Sequence, residues 1–159
     1  MLFVNVLKIL VLVLEVVYSP IMTKYKILDH TADIGIEVWG KTKKELFASA
    51  ALAIFDLMII NGEAEKTEEK TIAVTGNDLQ DLLVNFLREI LYLFNGKSWL
   101  VKECRIKEMT AHRLVAQVAG ERFNRRKHEI KKEIKAVTYH SLSVTKNVRG
   151  WKAKVIFDL

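Results

Sequence analysis

Three features of this sequence predict an α+β fold in which two helices pack on one face of a mainly antiparallel β-sheet. Stretches with a hydrophobic period of two alternate with two stretches of helical period. One helical stretch opens with a capping box. Half of the residues are hydrophobic and only one is proline, which suits a single packed core and excludes a disordered chain. At 159 residues, two full domains would be cramped.

The elements follow in order. Tyr25 to Leu28 reads as a short strand, and Ile34, Ile36 and Val38 alternate with Gly35, Glu37 and Trp39 as a half-buried one. Thr42-Lys43-Lys44-Glu45 is the capping box: the Thr42 hydroxyl accepts from the Glu45 amide while Glu45 reaches back. The helix that follows presents Leu46, Phe47, Ala50, Ile54, Leu57 and Met58, and Asn61-Gly62 is expected to supply its left-handed stop. After a polar run from Glu63 to Lys70, Ile72 and Val74 mark a strand. The second helix carries one wide stripe, Leu79, Leu82, Leu83, Phe86, Leu87, Ile90, Leu91 and Phe94, ended by Asn95-Gly96. Such a stripe is core, not a cofactor box. From Trp99 the period is mostly two: Cys104 and Ile106, then Leu114, Ala116 and Val118, form a hairpin turning near Thr110-Ala111. Val137 to Val144 and Trp151 to Leu159 complete the strands, with the turn at Asn147 to Gly150.

Residues 1 to 20 differ from the rest, with 15 apolar side chains and only Lys8 and Glu15 charged. The length suits a membrane span, but two charges and Asn5 interrupt the run. A signal peptide would carry a basic start and a small-residue cleavage site, and Ser19-Pro20 is a poor one. The reading adopted is that residues 1–21 are an apolar N-terminal extension, a start-site artefact or non-domain segment, and that 22–159 form the domain. No membrane partner is expected for residues 22–159. One cysteine, Cys104, excludes an internal disulfide and suits a reducing, cytoplasmic compartment.

The densest polar cluster is Asp29-His30-Thr31-Ala32-Asp33, between the first two strands. Carboxylates four residues apart offer hard oxygen ligands to a divalent cation. An Asx-turn or cap explains the same pattern. Asp158 alternates away from Ala153, Val155 and Phe157, and Asp33 away from Ile34 and Ile36. Both carboxylates thus avoid the helix-covered face, either to meet at a sheet rim or to stand solvated. The formal charge is +6, and residues 121–135 hold seven basic against three acidic side chains. This segment fits phosphates of RNA or a nucleotide, a solvated loop, or an acidic protein surface. Only Phe123 interleaves with the cations, so no stacking platform is expected. His30, His112, His128 and His140 are scattered, His112 at the hairpin turn on the surface. Cys104, in an alternating strand, reads as a buried apolar group. No zincin, nucleophile-elbow, Walker or dinucleotide motif is present.

The same segments resemble the archease family. The match runs through Asp29-His30-Thr31-Ala32-Asp33-Ile34-Gly35, Glu45-Leu46-Phe47 with Ala50, and Leu82-Leu83-Val84 to Leu91-Tyr92-Leu93-Phe94. It continues through Glu133-Ile134-Lys135-Ala136-Val137-Thr138-Tyr139-His140 and closes on Val155-Ile156-Phe157-Asp158. Residues 1–21 fall outside it, and Phe86 stands where the family has a Trp, a core exchange away from the site. The resemblance implies a non-catalytic accessory protein for the GTP-dependent RNA ligase that joins tRNA halves. It would promote guanylylation of the ligase and its multiple turnover. It also implies a divalent metal, calcium, magnesium or manganese, held by Asp33 and Asp158 with Asp29 or His30 nearby. His128, Lys135, Tyr139 and His140 fall at matching positions. Similar proteins are also associated with an RNA methyltransferase in a chaperone-like role, and tRNA is a further partner to consider. Two other readings compete with the activator: a stand-alone metal-dependent hydrolase on the same carboxylates, and an RNA-binding chaperone carried by residues 121–135.

Overall fold

The computed structural model describes residues 24–29, 32–60 and 64–159. Residues 1–21 and the pair Asn61-Gly62 lie outside the described residues. The elements are β1 (Tyr25–Asp29), β2 (Ile34–Gly40), α1 (Lys43–Met58), β3 (Ile59–Ile60), β4 (Glu68–Thr75), α2 (Leu79–Asn95), β5 (Trp99–Met109), β6 (Arg113–Arg122), β7 (Glu129–Ile130), β8 (Ala136–Asn147) and β9 (Gly150–Asp158). This is the expected order with two short strands, β3 and β7, added.

Every strand pair is antiparallel. The strands divide between a four-stranded sheet, β1-β2-β9-β8, and a three-stranded sheet, β4-β6-β5, with β3-β7 apart. Helix α1 packs on β2, β1 and β9 of the first sheet and on β5 of the second, and α2 packs on β8 and on β4, β5 and β6. The α+β class and the two helices against antiparallel strands stand. The division into two sheets, with each helix touching both, is the finer result.

That placement explains the difference between the helices. Nine residues of α1 are buried, including Ala51, Ala53 and Phe55, which lie off the expected stripe. A helix covered on more than one side needs apolar residues around most of its circumference. In α2 the stripe is one-sided, with Arg88, Glu89 and Tyr92 exposed opposite it. The helices meet through Phe47 and Phe86, whose ring centroids lie 6.0 Å apart. Phe86 is fully buried, and its truncation to Ala would cost about 3–5 kcal/mol.

Thr42 caps α1 by accepting from the Glu45 amide at 3.1 Å. The Glu45 carboxylate reaches back to the Lys41 amide at 2.8 Å, one residue beyond the position that a standard capping box uses. Asp78 and Asp81 repeat the arrangement at α2. The expected Asn61-Gly62 stop is corrected. Helix α1 ends at Met58 because Ile59 is already extended and pairs with Ile130 of β7. Between β8 and β9 the turn falls where expected, with Gly150 at φ +131, a conformation a side chain would strain.

The order of the four-stranded sheet matters most for the site. The last strand, β9, runs between β2 and β8. The Asp158 end therefore lies in the middle of a sheet rim rather than at a loose terminus.

Candidate functional site

Ile34 of β2 pairs with Phe157 of β9. Continuing that register by one residue puts Asp33 opposite Asp158. On the outer side, β1 brings the Asp29 backbone beside Ile34. On the other side, Ala136 of β8 pairs with Asp158, and the Lys135 amide donates to the Asp158 carbonyl at 2.8 Å. Three parts of the chain distant in sequence, the β1/β2 corner, the start of β8 and the end of β9, thus converge on one rim.

Asp33 is half-buried and Asp158 exposed. Among the described residues neither carboxylate has a hydrogen-bond or ion-pair partner. Nearby carboxylates differ: Glu37, on the outer face of β2, is bound by Lys26 at 3.2 Å and Lys152 at 3.4 Å. The Lys26 and Lys152 contacts hold its carboxyl below the usual range. The rim supplies carboxylate oxygens, the donor type that hard divalent cations take. Among the described residues no three His, Cys, Asp or Glu side chains cluster as a metal set. A third protein donor would come from the Asp29 side chain or His30, both outside the described residues.

His128 stands in a different network. It is 4% exposed, in the segment between β6 and β7. Its Nδ1 accepts from the Asn124 amide at 3.0 Å, which leaves the proton on Nε2 to donate to Glu121 Oε1 at 3.1 Å. Its ring stacks on Phe123, which meets Phe94 edge-on. Glu121 also accepts from Lys127 Nζ and from the Glu65 amide, both at 2.8 Å. The Lys127 contact above all holds the Glu121 carboxyl below its ordinary range. Every polar atom of the imidazole is thereby engaged in fixing the loop.

Tyr139 and His140 begin an irregular stretch of β8. Thr138 faces Ile156 and Ser143 faces Lys154, so residues 139–142 stand against Val155 alone. Ser141 takes φ 51 there. Such bulges re-aim side chains. Here the Tyr139 hydroxyl swings to α2 and donates to Asp81 Oδ1 at 2.5 Å, with Arg88 5.0 Å from the ring centroid. That bond pushes the Tyr139 hydroxyl up and the Asp81 carboxyl down. Both Tyr139 and His140 are exposed. His112 is exposed at the hairpin turn, as expected.

The family model described as the archease protein family (MTH1598/TM1083) matches residues 25–159. The chain belongs to the archease family. Protein archease of Methanosarcina barkeri is 39% identical over 140 residues, covering 86% of this chain and 96% of that protein. The archease of Pyrococcus abyssi is 36% identical over 142 residues, covering 87% of this chain and all of its own length. The solution structure of Methanobacterium thermoautotrophicum protein 1598 superposes with a TM-score of 0.73 at 30% identity, covering 87% of this chain and all of that one. The crystal structure of an archease from Thermotoga maritima, described as a possible chaperone, gives 0.59 at 30% identity, with 84% and 96% covered.

The archease match spans both the rim and the His128 network. One feature went unread in the sequence: a cavity of about 480 Å³ between β1, α1 and β5, lined by Leu52, Leu100 and Cys104 with Tyr25 and Asp56 at its wall. Burial raises the Asp56 carboxyl, against the nearby Lys102, and burial with Asp56 raises Tyr25. The only signal for it is an Asp inside an otherwise apolar turn of α1. Neither Asp33 nor Asp158 lines this cavity. Cys104 is buried and its thiol is pushed up to about 12 by desolvation, which leaves it inert as a nucleophile at neutral pH. Among the described residues no helix is long and apolar enough to cross a membrane.

Proposed function

We propose that this archease is a non-catalytic activator of the GTP-dependent tRNA-splicing RNA ligase, acting through a divalent metal at the Asp33/Asp158 rim. The observation that carries the reading is the β2/β9 register, whose continuation one residue past Ile34 and Phe157 brings Asp33 opposite Asp158, neither carboxylate having a partner among the described residues. Family membership supports the accessory role.

The donor set fits a hard cation: Asp33 and Asp158 offer oxygen only, and Asp29 is the further carboxylate that the family resemblance adds. A divalent ion bound there supplies positive charge to a triphosphate. The chain's own residues do the positioning. The Lys135 amide pins the Asp158 backbone, and β9 is paired on both sides, by β2 and β8. Presented to the ligase, the two carboxylates orient a cation without the protein performing a chemical step itself.

Guanylylation of the ligase from the same organism, with GTP and manganese, tests the reading. The wild-type protein is expected to stimulate it, and Asp33→Ala and Asp158→Ala, with unchanged melting temperatures, are expected not to. Full stimulation by either variant would overturn the metal reading. The Thermotoga maritima relative described as a possible chaperone favours one alternative, a chaperone-like action, for which the family resemblance offers an RNA methyltransferase as the partner. That reading predicts methyltransferase solubility that depends on the protein but not on Asp33.

A further inference from the structure

The segment from Arg122 to Lys135 is not a loosely solvated charged loop. The Lys131 and Lys132 amides donate to Met58 O, at 2.7 and 3.3 Å, closing the C-terminus of α1. The Phe123 amide donates to Ser98 O at 2.7 Å and Asn95 Nδ2 to Ile134 O at 2.9 Å, so the segment also lies across the C-terminus of α2. Within it, the Asn124 side chain accepts from the Arg126 amide, and buried His128 locks the turn.

Of its seven cations, only Lys127 is engaged, with Glu121 and Glu65. Arg122, Arg125, Arg126, Lys131, Lys132 and Lys135 are exposed and pair with no carboxylate among the described residues. A structural account covers part of this charge. Neither helix has a basic residue in its last turn, and each C-terminus carries about half a negative charge. Two helix ends and the exposed Glu129 and Glu133 still leave the six cations in excess. Nothing among the described residues neutralises this surplus.

A second, independent observation indicates what anion it meets. Tyr92, in the last turn of α2, is 51% exposed. Its ring lies against Gly96, where any β-carbon would collide with it, and Lys97 Nζ sits 5.5 Å from its centroid. An exposed aromatic ring with Lys97 beside it, in the same last turn of α2 that the basic segment reaches through Phe94 and Asn95, fits an unstacked base better than an acidic peptide. Phe123, the aromatic ring within the segment, is occupied by Phe94 and His128. The stacking ring comes from another element, which is why the sequence hid it.

We propose that Arg122–Lys135, with Tyr92 and Lys97, forms a single-stranded RNA-binding surface, its cations on phosphates and Tyr92 beneath a base. The proposal does not rest on the metal reading of the rim. Fluorescence anisotropy of the full chain with a 5′-fluorescein 20-nucleotide single-stranded RNA tests it. Affinity is expected to fall linearly on a logarithmic salt scale, and Arg125→Ala/Arg126→Ala to reduce the slope by about 0.7 per cation removed. Tyr92→Ala is expected to weaken binding about tenfold without changing the slope, and Tyr92→Phe to retain it. Asp33→Ala is expected to bind RNA as the wild type does, even if it fails with the ligase. A labelled poly-glutamate of equal charge is expected to bind more weakly than the RNA. Absence of RNA binding at low salt would overturn the proposal. So would equal affinity for poly-glutamate with Tyr92→Ala silent, which would make the surface a face for an acidic protein.

Discussion

The rim at Asp33 and Asp158 and the loop around His128 use the same residue types to opposite ends. In the loop, Glu121 gathers contacts from Lys127, His128 and the Glu65 amide, and both imidazole nitrogens are bonded. At the rim, Asp33 and Asp158 flank the last β2/β9 pair, Ile34 and Phe157, and have no such partners among the described residues. A cluster whose polar atoms are all satisfied inside the protein holds shape. Carboxylates without protein partners keep their oxygen lone pairs available to a cation from outside. Partner satisfaction, rather than residue identity, separates scaffold from site here.

The widest separation between the two regions should come from truncating each. Removing a supporting partner of a metal ligand typically costs about 10–100-fold in affinity or activity, so loss of a ligand itself should cost at least as much. Asp33→Ala and Asp158→Ala should therefore lower ligase stimulation at least about tenfold. Their urea midpoints should stay near wild type, as for other surface changes. His128→Ala should do the reverse. It removes a buried ring and orphans the Asn124 amide, so urea denaturation should show a loss of about 2–3 kcal/mol. The protein that remains folded should stimulate normally. If His128→Ala abolished stimulation at full stability, the two regions would not be separable.

Acid sharpens the contrast further. Glu121 is depressed in the folded state, chiefly by Lys127, relative to its unfolded value. Its contribution is complete above the ordinary glutamate range and is lost as pH falls through the lower folded value. Stability measured from pH 6 down to pH 3 should decline, and Glu121→Gln should flatten that decline. The smallest effect belongs to Tyr139→Phe. Its bond to Asp81 is short but exposed at both ends, so the urea midpoint should hardly move. The readout is local: the Asp81 carboxyl should titrate higher once the phenol no longer donates to it.

Much of this was legible in the chain. The strand alternation that sets Asp33 and Asp158 off the core face is visible in Ile34-Gly35-Ile36 and Val155-Ile156-Phe157. The stripe of α2 needed no structure. Strand order could not be read, because period-two patterning says which face a residue takes but not which strand lies beside it. Without β9 between β2 and β8, nothing in the sequence opposes Asp33 to Asp158. The two-residue strands β3 and β7 are too short to carry a pattern. They displaced the end of α1 from the Asn61-Gly62 signal to Met58. The role of His128 was hidden for another reason: its partners Glu121, Phe123 and Asn124 are close in sequence, but Phe123 is itself packed by Phe94 of α2, which no local pattern reveals. Charge counting marks the basic segment but not Tyr92, which shares the last turn of α2 with Asn95, the residue that bonds the segment at Ile134.

Manganese binding to the full chain, followed by the loss of the free-ion electron paramagnetic resonance signal, tests the rim most directly. The account predicts one site that is lost in both Asp33→Asn and Asp158→Asn and kept in Glu121→Gln. Manganese binding that survives both rim substitutions would contradict it.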